Sequence, residues 1–195
     1  IRLSLVGSEM CIRDSAETAI KIIKELPESD RIILEVGTPL LKKEGIGVVR
    51  KLREVAKDMF IVADLKTLDV GQVEVDMSFE ETADAVVVAG LATTETIDKF
   101  IAEAKRLGIY AVMDLMNVTD PIEKLKSLKR LPDVAILHRA IDAEATGKTR
   151  WDIIKEMRET FKGKKFLVAV AGGITPQTAP EALANGADII IVGRY

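Results

Sequence analysis

The fold is decided by Phe60-Ile61-Val62-Ala63-Asp64-Leu65-Lys66-Thr67, an apolar run that closes on a carboxylate and an ammonium group. Side chains alternate along a strand, so this pattern predicts that Asp64 and Lys66 share one face with Val62 beneath them. Charged side chains are rare on the buried face of an apolar strand unless they pair or bind a ligand. The stretch therefore predicts a buried strand whose carboxyl end carries a functional site.

Similar apolar segments alternate with segments of helical spacing along the rest of the chain. The predicted strands lie near residues 32–36, 60–65, 84–89, 109–115, 133–138, 166–171 and 188–193. Each is apolar nearly throughout, which is typical of a parallel sheet covered by helices. Met77, Met113 and Met116 are predicted to fill the core.

Polar residues and glycines end almost every predicted strand, and they comprise Glu35, Asp64, Asp114, His138, Gly172-Gly173 and Gly193-Arg194. An open doubly wound sheet gathers its ligand groups at one switch point, whereas a (β/α)8 barrel carries them around its carboxyl rim. The sequence therefore predicts an α/β fold of the (β/α)8 TIM-barrel type. Only seven strands follow Ser15, so the first strand is the one that residues 16–195 lack.

Residues 1–15 are treated separately, because they lack an initial Met and resemble a translated adapter sequence. The expected organisation is a non-native segment over 1–15 and an incomplete barrel domain over 16–195, truncated at both ends, with its native first strand and last helix missing. A native first strand over residues 2–6 is the alternative. Leu3, Leu5 and Val6 are apolar enough to pair as a surrogate first strand in either case.

Composition narrows the function classes. The 195 residues are 48% hydrophobic and 4% aromatic, which suits one domain with an aliphatic core. The net charge is −3 and the basic residues are scattered, so neither nucleic acid nor a membrane surface is an expected partner. Cys11 is the only cysteine, and no apolar run reaches the roughly 18 residues of a membrane span. A reducing cytoplasm fits these features.

Two kinds of ligand are predicted at the rim. Glycines after the last two strands, at Gly172-Gly173 and Gly193, can bring backbone N–H groups close to a phosphate, although ordinary turn glycines are the alternative. Glu35 and Asp64 end neighbouring strands, and two carboxylates beside a substrate oxygen suit Mg²⁺. A structural Glu–Lys–Asp ion-pair network through Lys66 is an equally open interpretation of these charges.

His138 is the only histidine and ends an apolar strand, so it is either a proton-transfer base or a satisfied core residue. Asp114 and Asp142 follow nearby strands, but each can serve only to cap the next helix. We expect Lys66 and His138 to face one cavity with Gly172-Gly173 across it. Strands three and six lie on opposite sides of a barrel, so these two side chains are expected to meet only over a bound ligand.

Four motifs carry a family resemblance, and they are the segments 35–40, 63–69, 138–142 and 170–174. Together they resemble the 3-hexulose-6-phosphate synthase family of the orotidine 5′-phosphate decarboxylase superfamily over about residues 16–195. The resemblance is closest to the synthase domain that is fused to formaldehyde-activating enzyme. It implies a lyase that performs a reversible Mg²⁺-dependent aldol addition, in which D-ribulose 5-phosphate and formaldehyde give D-arabino-hex-3-ulose 6-phosphate.

The same resemblance implies roles for particular residues. Glu35 and Asp64 would hold Mg²⁺, Lys66 would stabilise the enediolate, and His138 would be the base. Asp69 would reach the site of a neighbouring subunit, which implies a homodimer. The phosphate would be held by Gly172, Gly173, Gly193 and Arg194.

Close relatives differ at single positions. The resemblance implies that orotidine 5′-phosphate decarboxylases carry lysine in place of Glu35, and that 3-keto-L-gulonate-6-phosphate decarboxylases carry arginine in place of Ile141. Ile141 therefore favours the synthase, and decarboxylation is the alternative. The family's first strand supplies an acidic residue for which residues 1–15 offer no convincing match. An inactive phosphate-binding fragment is the third interpretation.

Overall fold

A computed structural model of the protein describes residues 4–6, 15–27, 29–139 and 152–193. Its strands all run parallel and form one closed barrel in the order β1 to β8. They are β1 (Ser4–Val6), β2 (Ile32–Val36), β3 (Phe60–Thr67), β4 (Ala85–Ala89), β5 (Tyr110–Asp114), β6 (Val134–His138), β7 (Leu167–Ala171) and β8 (Ile189–Val192). The prediction of a (β/α)8 barrel is confirmed.

The described helices are α1 (Ala16–Glu25), α2 (Thr38–Glu44), α3 (Val48–Ala56), α4 (Gly71–Glu80), α5 (Thr94–Leu107), α6 (Pro121–Lys126), α7 (Asp152–Thr160) and α8 (Ala179–Ala184). Ser15 caps α1 and Thr93 caps α5 by accepting hydrogen bonds from main-chain N–H groups of the first turns. Gly108, with φ of 78°, ends α5 in the left-handed conformation that glycine adopts without strain. Within the described ranges, no helix is long and apolar enough to cross a membrane.

The segment β1 closes the barrel. Leu5 pairs with Ile33 of β2 on one side and with Ile191 of β8 on the other. The first-strand position that residues 16–195 leave open is thus occupied by residues 4–6, as the surrogate-strand prediction expects. The carboxyl ends of all eight strands consequently face one mouth.

Alternate residues of β2 to β8 fill the barrel interior. This interior cluster contains Ile33, Val62, Ala85, Val87, Val112, Val134, Ile136, Ala169, Ala171, Ile189 and Ile191. The intervening residues, such as Val86 and Met113, pack outward against the helices. By the same alternation, Glu35, Asp64, Asp114 and His138 continue the interior face toward the carboxyl mouth.

One core prediction is wrong. Met113 is fully buried, but Met77 is 40% exposed on α4. The helix packs on the barrel through Val75 and Ser78, which are fully buried, and this leaves the face with Met77 turned outward.

An aspartate directly precedes each of β4, β6 and β8, and its carboxylate accepts a hydrogen bond from a main-chain N–H of the preceding strand. Asp84 Oδ2 accepts a hydrogen bond from the Ile61 N–H at 2.7 Å. Asp133 and Asp188 do the same for the N–H groups of Ala111 and Val168, both at 2.8 Å. This repeated bond satisfies a strand N–H and fixes the amino end of the barrel.

Candidate active site

The end of β3 departs from regular strand geometry. The register with β4 shifts between Ala63 and Thr67, and Lys66 has φ of 48°. A positive φ in a lysine costs on the order of 1 kcal/mol, so surrounding contacts must hold it. One such contact is the Thr67 hydroxyl, which donates to a Glu74 carboxylate oxygen of α4. The backbone is therefore bent where the lysine enters the barrel mouth.

Lys66 lies between two carboxylates. Its Nζ is 2.5 Å from Asp64 Oδ2 and 2.9 Å from Asp114 Oδ2. Burial opposes the charge on Lys66, but the two neighbouring anions outweigh burial and raise its pKa above the ordinary value of 10.5. Lys66 is therefore a fixed cation. The sequence predicted that Asp64 and Lys66 meet, although it did not predict the bend that brings them together.

Asp64 is only 6% exposed. Its Oδ2 accepts hydrogen bonds from Lys66 Nζ and from Thr38 Oγ1 at 3.0 Å. Its Oδ1 is buried and makes no hydrogen bond with any described residue. A buried carboxylate oxygen without a donor is unfavourable, so this atom is a candidate ligand for a cation or a hydroxyl.

Asp114, which is 2% exposed, connects the lysine to the histidine. Its Oδ2 lies 2.8 Å from His138 Nδ1 as well as near Lys66, and its Oδ1 accepts the Met116 N–H at 2.9 Å. Burial alone would raise the pKa of Asp114, but the hydrogen bond from His138 and the charge of Lys66 lower it to about 2. The group is thus an anion at neutral pH.

The hydrogen bond to Asp114 determines the tautomer of His138. An ionised carboxylate can only accept, so Nδ1 of the imidazole must carry the proton. In the neutral ring, Nε2 is then the lone-pair nitrogen and can act as a base. His138 is therefore held in the form that a proton-transfer role requires.

Two expectations need correction here. Asp114 does not cap the following helix, because Asp120 caps α6 through the N–H groups of Ile122 and Glu123. Lys66 and His138 do not meet only over a ligand, because the Asp114 carboxylate lies between them and contacts both. The sequence signal for Asp114 was its position at a strand end on the interior face, which the capping interpretation obscured.

Glu35 and Asp69 are the other two carboxylates that the sequence predicts at the site. Glu35, half-buried on β2, pairs in register with Val62, which places it on the same interior face as Asp64. Asp69 is exposed after β3, and its Oδ1 accepts the Val70 N–H at 2.7 Å. The structure does not bring Asp69 to Lys66 of the same chain among the contacts of the described residues. Asp142 and Ile141 lie outside those residues.

The glycine pair follows β7. Gly172 and Gly173 have φ of 86° and 66°, a backbone region that residues other than glycine rarely adopt. A Cβ at Gly172 would overlap the Arg139 carbonyl, and one at Gly173 would overlap the Arg139 guanidinium. Sequence reasoning missed Arg139, which places a cation beside the predicted phosphate-binding glycines. Gly193 directly follows β8, and Arg194 lies outside the described residues.

The described residues contain no group of three or more His, Cys, Asp or Glu side chains arranged for a metal ion. Mg²⁺ does not require such a group, because it commonly keeps several waters and takes one or two carboxylates together with substrate oxygens. The buried Oδ1 of Asp64 fits such a role.

A parallel barrel with a buried Asp–Lys–Asp–His cluster at its carboxyl mouth defines a TIM-barrel protein with an enzyme-like site. The chain belongs to the orotidine 5′-phosphate decarboxylase / HUMPS family, which it matches over residues 13–195.

Named relatives give finer detail. A bifunctional enzyme Fae/Hps from Methanosphaera stadtmanae is 48% identical over an alignment of 188 residues that covers 93% of this chain and 46% of that protein. The chain thus spans about half the length of this relative. A solved 3-hexulose-6-phosphate synthase from Salmonella typhimurium is 30% identical with a TM-score of 0.86, and the match covers 99% of this chain and 89% of that one.

A 3-keto-L-gulonate-6-phosphate decarboxylase from Vibrio cholerae has a TM-score of 0.82 at 24% identity, with 98% of this chain and 87% of that chain covered. At that identity the likeness shows the fold alone. The predicted resemblance to 3-hexulose-6-phosphate synthases is confirmed by the relatives, and with it membership of a family of enzymes.

The depressed pKa of Asp114 leads to a test by acid unfolding. Because this pKa is about 2 in the fold against an ordinary 3.8, the ionised group stabilises the protein above that ordinary value. The stabilisation is lost as the pH falls through about 2. Between pH 5 and pH 2, we expect the free energy of unfolding to fall by about 2 kcal/mol more in the parent chain than in Asp114→Asn.

Urea denaturation at several pH values measures this difference. Asp58→Asn, at an exposed position of the α3–β3 loop, is the matched control and should keep the pH dependence of the parent. Parallel curves for the parent and Asp114→Asn would show that the contacts of Asp114 do not stabilise its anion.

Proposed function

We propose that the protein is a lyase that catalyses the reversible, Mg²⁺-dependent aldol addition of formaldehyde to D-ribulose 5-phosphate, giving D-arabino-hex-3-ulose 6-phosphate. The observation that carries this proposal is the continuous contact from Asp64 through Lys66 and Asp114 to His138. It combines a fixed cation with an oriented base at the mouth of a barrel. The names of the relatives support the same chemistry.

The proton steps follow from the tautomer of His138. Nε2 takes the proton from C1 of the sugar phosphate, and the electron pair moves onto the C2 oxygen to give an enediolate. Asp114 stabilises the imidazolium that forms, and the Lys66 ammonium stabilises the enediolate charge. C1 then bonds to the carbon of formaldehyde, whose oxygen takes the proton back from His138. The products balance the reactants, and the imidazole is neutral again.

Glu35 and Asp64 are the residues that would hold Mg²⁺. The ion, when bound, supplies positive charge at the sugar oxygens. The unpartnered, buried Oδ1 of Asp64 supports this assignment, as does the position of Glu35 on the same interior face. Asp64 Oδ2 is already engaged by Lys66 and Thr38, so the carboxylate is held in one orientation and its other oxygen can serve as the ligand.

The phosphate would lie across the mouth from Asp64. Backbone N–H groups of Gly172, Gly173 and Gly193 would hold it, together with Arg194. The Arg139 guanidinium, which packs against Gly173, adds a further cation to this subsite. The substrate is then fixed at one end by the phosphate and presents C1 to His138 at the other.

The homodimer is proposed from an exposed apolar patch next to the site. We define the α4 patch as Leu68, Val70, Val73 and Met77, which are 60%, 57%, 53% and 40% exposed. Such a concentration of exposed large apolar side chains is typical of a protein–protein interface. Asp69 lies within this patch, so an isologous contact would carry it toward the site of the second subunit.

The reaction itself is tested by the consumption of formaldehyde in the presence of ribulose 5-phosphate. We expect turnover with Mg²⁺, its loss with EDTA, and a decrease on the order of 100-fold in Glu35→Gln, which keeps the shape but removes the charge. Glu54→Gln, on the exposed side of α3, is the control and should retain full activity. Decarboxylation of 3-keto-L-gulonate 6-phosphate or orotidine 5′-phosphate without formaldehyde consumption would favour the alternative, and inactivity toward all three would favour a binding fragment.

The role of His138 is tested by proton exchange at C1 in deuterated water. His138→Asn should slow the exchange of ribulose 5-phosphate by about 100-fold or more, because the base is removed. Binding of the sugar phosphate, measured by titration, should change much less, since the phosphate and metal contacts remain. An unchanged exchange rate would show that His138 is not the base and would transfer that role to another residue.

Mixed dimers test the role of Asp69. Asp69→Ala and Lys66→Ala should each be inactive, but an unfolded and refolded equimolar mixture should regain about a quarter of the parent activity. Random pairing makes half of the dimers mixed, and each mixed dimer has one site with both an intact Lys66 and the partner's Asp69. Activity that stays at the level of the single variants would show that Asp69 does not cross between subunits. Sedimentation of Val73→Asp as a monomer would independently support the interface.

A further inference from the structure

A second cavity lies at the opposite end of the barrel from the catalytic site. It has a volume of about 800 Å³ and opens beside the amino ends of β5 and β6, where Tyr110 and Asp133 line it. The helices α5 and α6 and the segment after α7 complete its walls. Its size falls in the range of pockets that bind small molecules, roughly 300–1,000 Å³.

The aspartates that precede β4, β6 and β8 differ in their arginine partners, and this difference accounts for the open space beside Asp133. Arg53 pairs with Asp84 and also donates to the carbonyls of Met59 and Thr82. Arg158 pairs with Asp188 in the same way and donates to the carbonyls of Phe166 and Gly186. Two of the three repeated positions are therefore filled by a guanidinium group.

The third position has no such arginine among the described residues. Asp133 accepts the Ala111 N–H, but no described cationic side chain pairs with it. Ile109 and Leu131, which correspond by position to Met59 and Thr82, instead line the cavity. The cavity thus occupies the place that a side chain fills in the other two units.

Several cationic side chains that have no partner among the described residues surround this cavity. The side chains of Lys105, Lys129, Arg130, Lys164 and Lys165 line it, and none makes a hydrogen bond or an ion pair with a described residue. Lys126 is paired with Glu123 at 2.7 Å. Among the described residues that line the cavity, Asp133 is the single carboxylate. Several unpaired like charges around one concave space favour the binding of a polyanion.

The walls between these cations are apolar. They include Ile101, Ile109, Leu125 and Phe161, and Tyr110 beside them is 48% exposed. Phe60 supports the Tyr110 ring at a centroid distance of 5.5 Å. A supported, half-exposed aromatic ring offers a stacking surface for a flat heterocycle.

We propose that this cavity binds a nucleoside polyphosphate, with its phosphates among the lysines and Arg130 and its base on Tyr110. An inorganic anion would leave the apolar walls uncovered, and an uncharged ring would leave the cations unpaired. The proposed site is separate from the catalytic mouth and does not depend on the reaction that occurs there.

Isothermal titration of the full chain with ATP tests the proposal, with tripolyphosphate and adenosine as the two partial ligands. We expect one ATP per chain, and weaker binding of both partial ligands. Lys129→Ala/Lys164→Ala should raise the Kd for ATP about tenfold or more, because two charged contacts are lost. Lys21→Ala/Lys24→Ala, which removes the same charge from the exposed side of α1, should change the Kd less than about twofold.

Tyr110→Ala tests the contact with the base separately from the contacts with the phosphates. It should weaken ATP binding but leave tripolyphosphate binding unchanged. The proposal would be overturned if ATP did not bind at millimolar concentration. It would also be overturned if Lys129→Ala/Lys164→Ala left the Kd for ATP unchanged. Equal affinities for ATP and tripolyphosphate would also overturn it, because the base would then make no contact.

Discussion

The candidate active site depends on one buried anion, the carboxylate of Asp114. A charge taken out of water is stable only when donors replace the water, and Asp114 receives donors from Lys66, His138 and the Met116 main chain. Each of these bonds also constrains the donor. The contacts that stabilise Asp114 also fix the position of the Lys66 ammonium group and the tautomer of the His138 imidazole. The same hydrogen bonds therefore stabilise the fold and orient the groups that would take part in the reaction.

Barrel closure makes this arrangement possible, because Asp114, Lys66 and His138 come from β5, β3 and β6. In a closed parallel barrel, every second residue of each strand points inward, and the last inward residues of all strands meet at one mouth. Apolar residues fill the layers of the barrel interior below the carboxyl mouth, and charged residues begin only in the last layer, at the mouth itself. The boundary between these layers runs from Val62 to Asp64 on β3 and from Val112 to Asp114 on β5.

The sequence predicted the layers well and the connections between charged residues poorly. Strand positions, the barrel and the inward direction of Asp64 follow from alternation and apolar runs, which are local properties of the chain. The link through Asp114 depends on a bend at Lys66, where φ is 48°, and nothing in the residue type predicts that bend. Arg139 was missed because its proximity to Gly173 arises from the pairing of β6 with β7, which brings distant segments together. Met77 was misassigned because hydrophobicity alone does not distinguish the core from an exposed interface.

Asp84 and Asp188, at the amino end of the barrel, differ from Asp64, at the carboxyl end, in how their oxygens are satisfied. At the amino end, Asp84 and Asp188 accept strand N–H groups and pair with arginines, so their charges are balanced within the fold. At the carboxyl end, Asp64 keeps one buried oxygen that has no donor among the described residues. A buried oxygen without a protein donor is unfavourable, and a ligand that supplies positive charge or a hydroxyl removes that penalty. A ligand that satisfies this atom therefore gains binding free energy that a ligand confined to the rim does not, so the site favours ligands that reach Asp64.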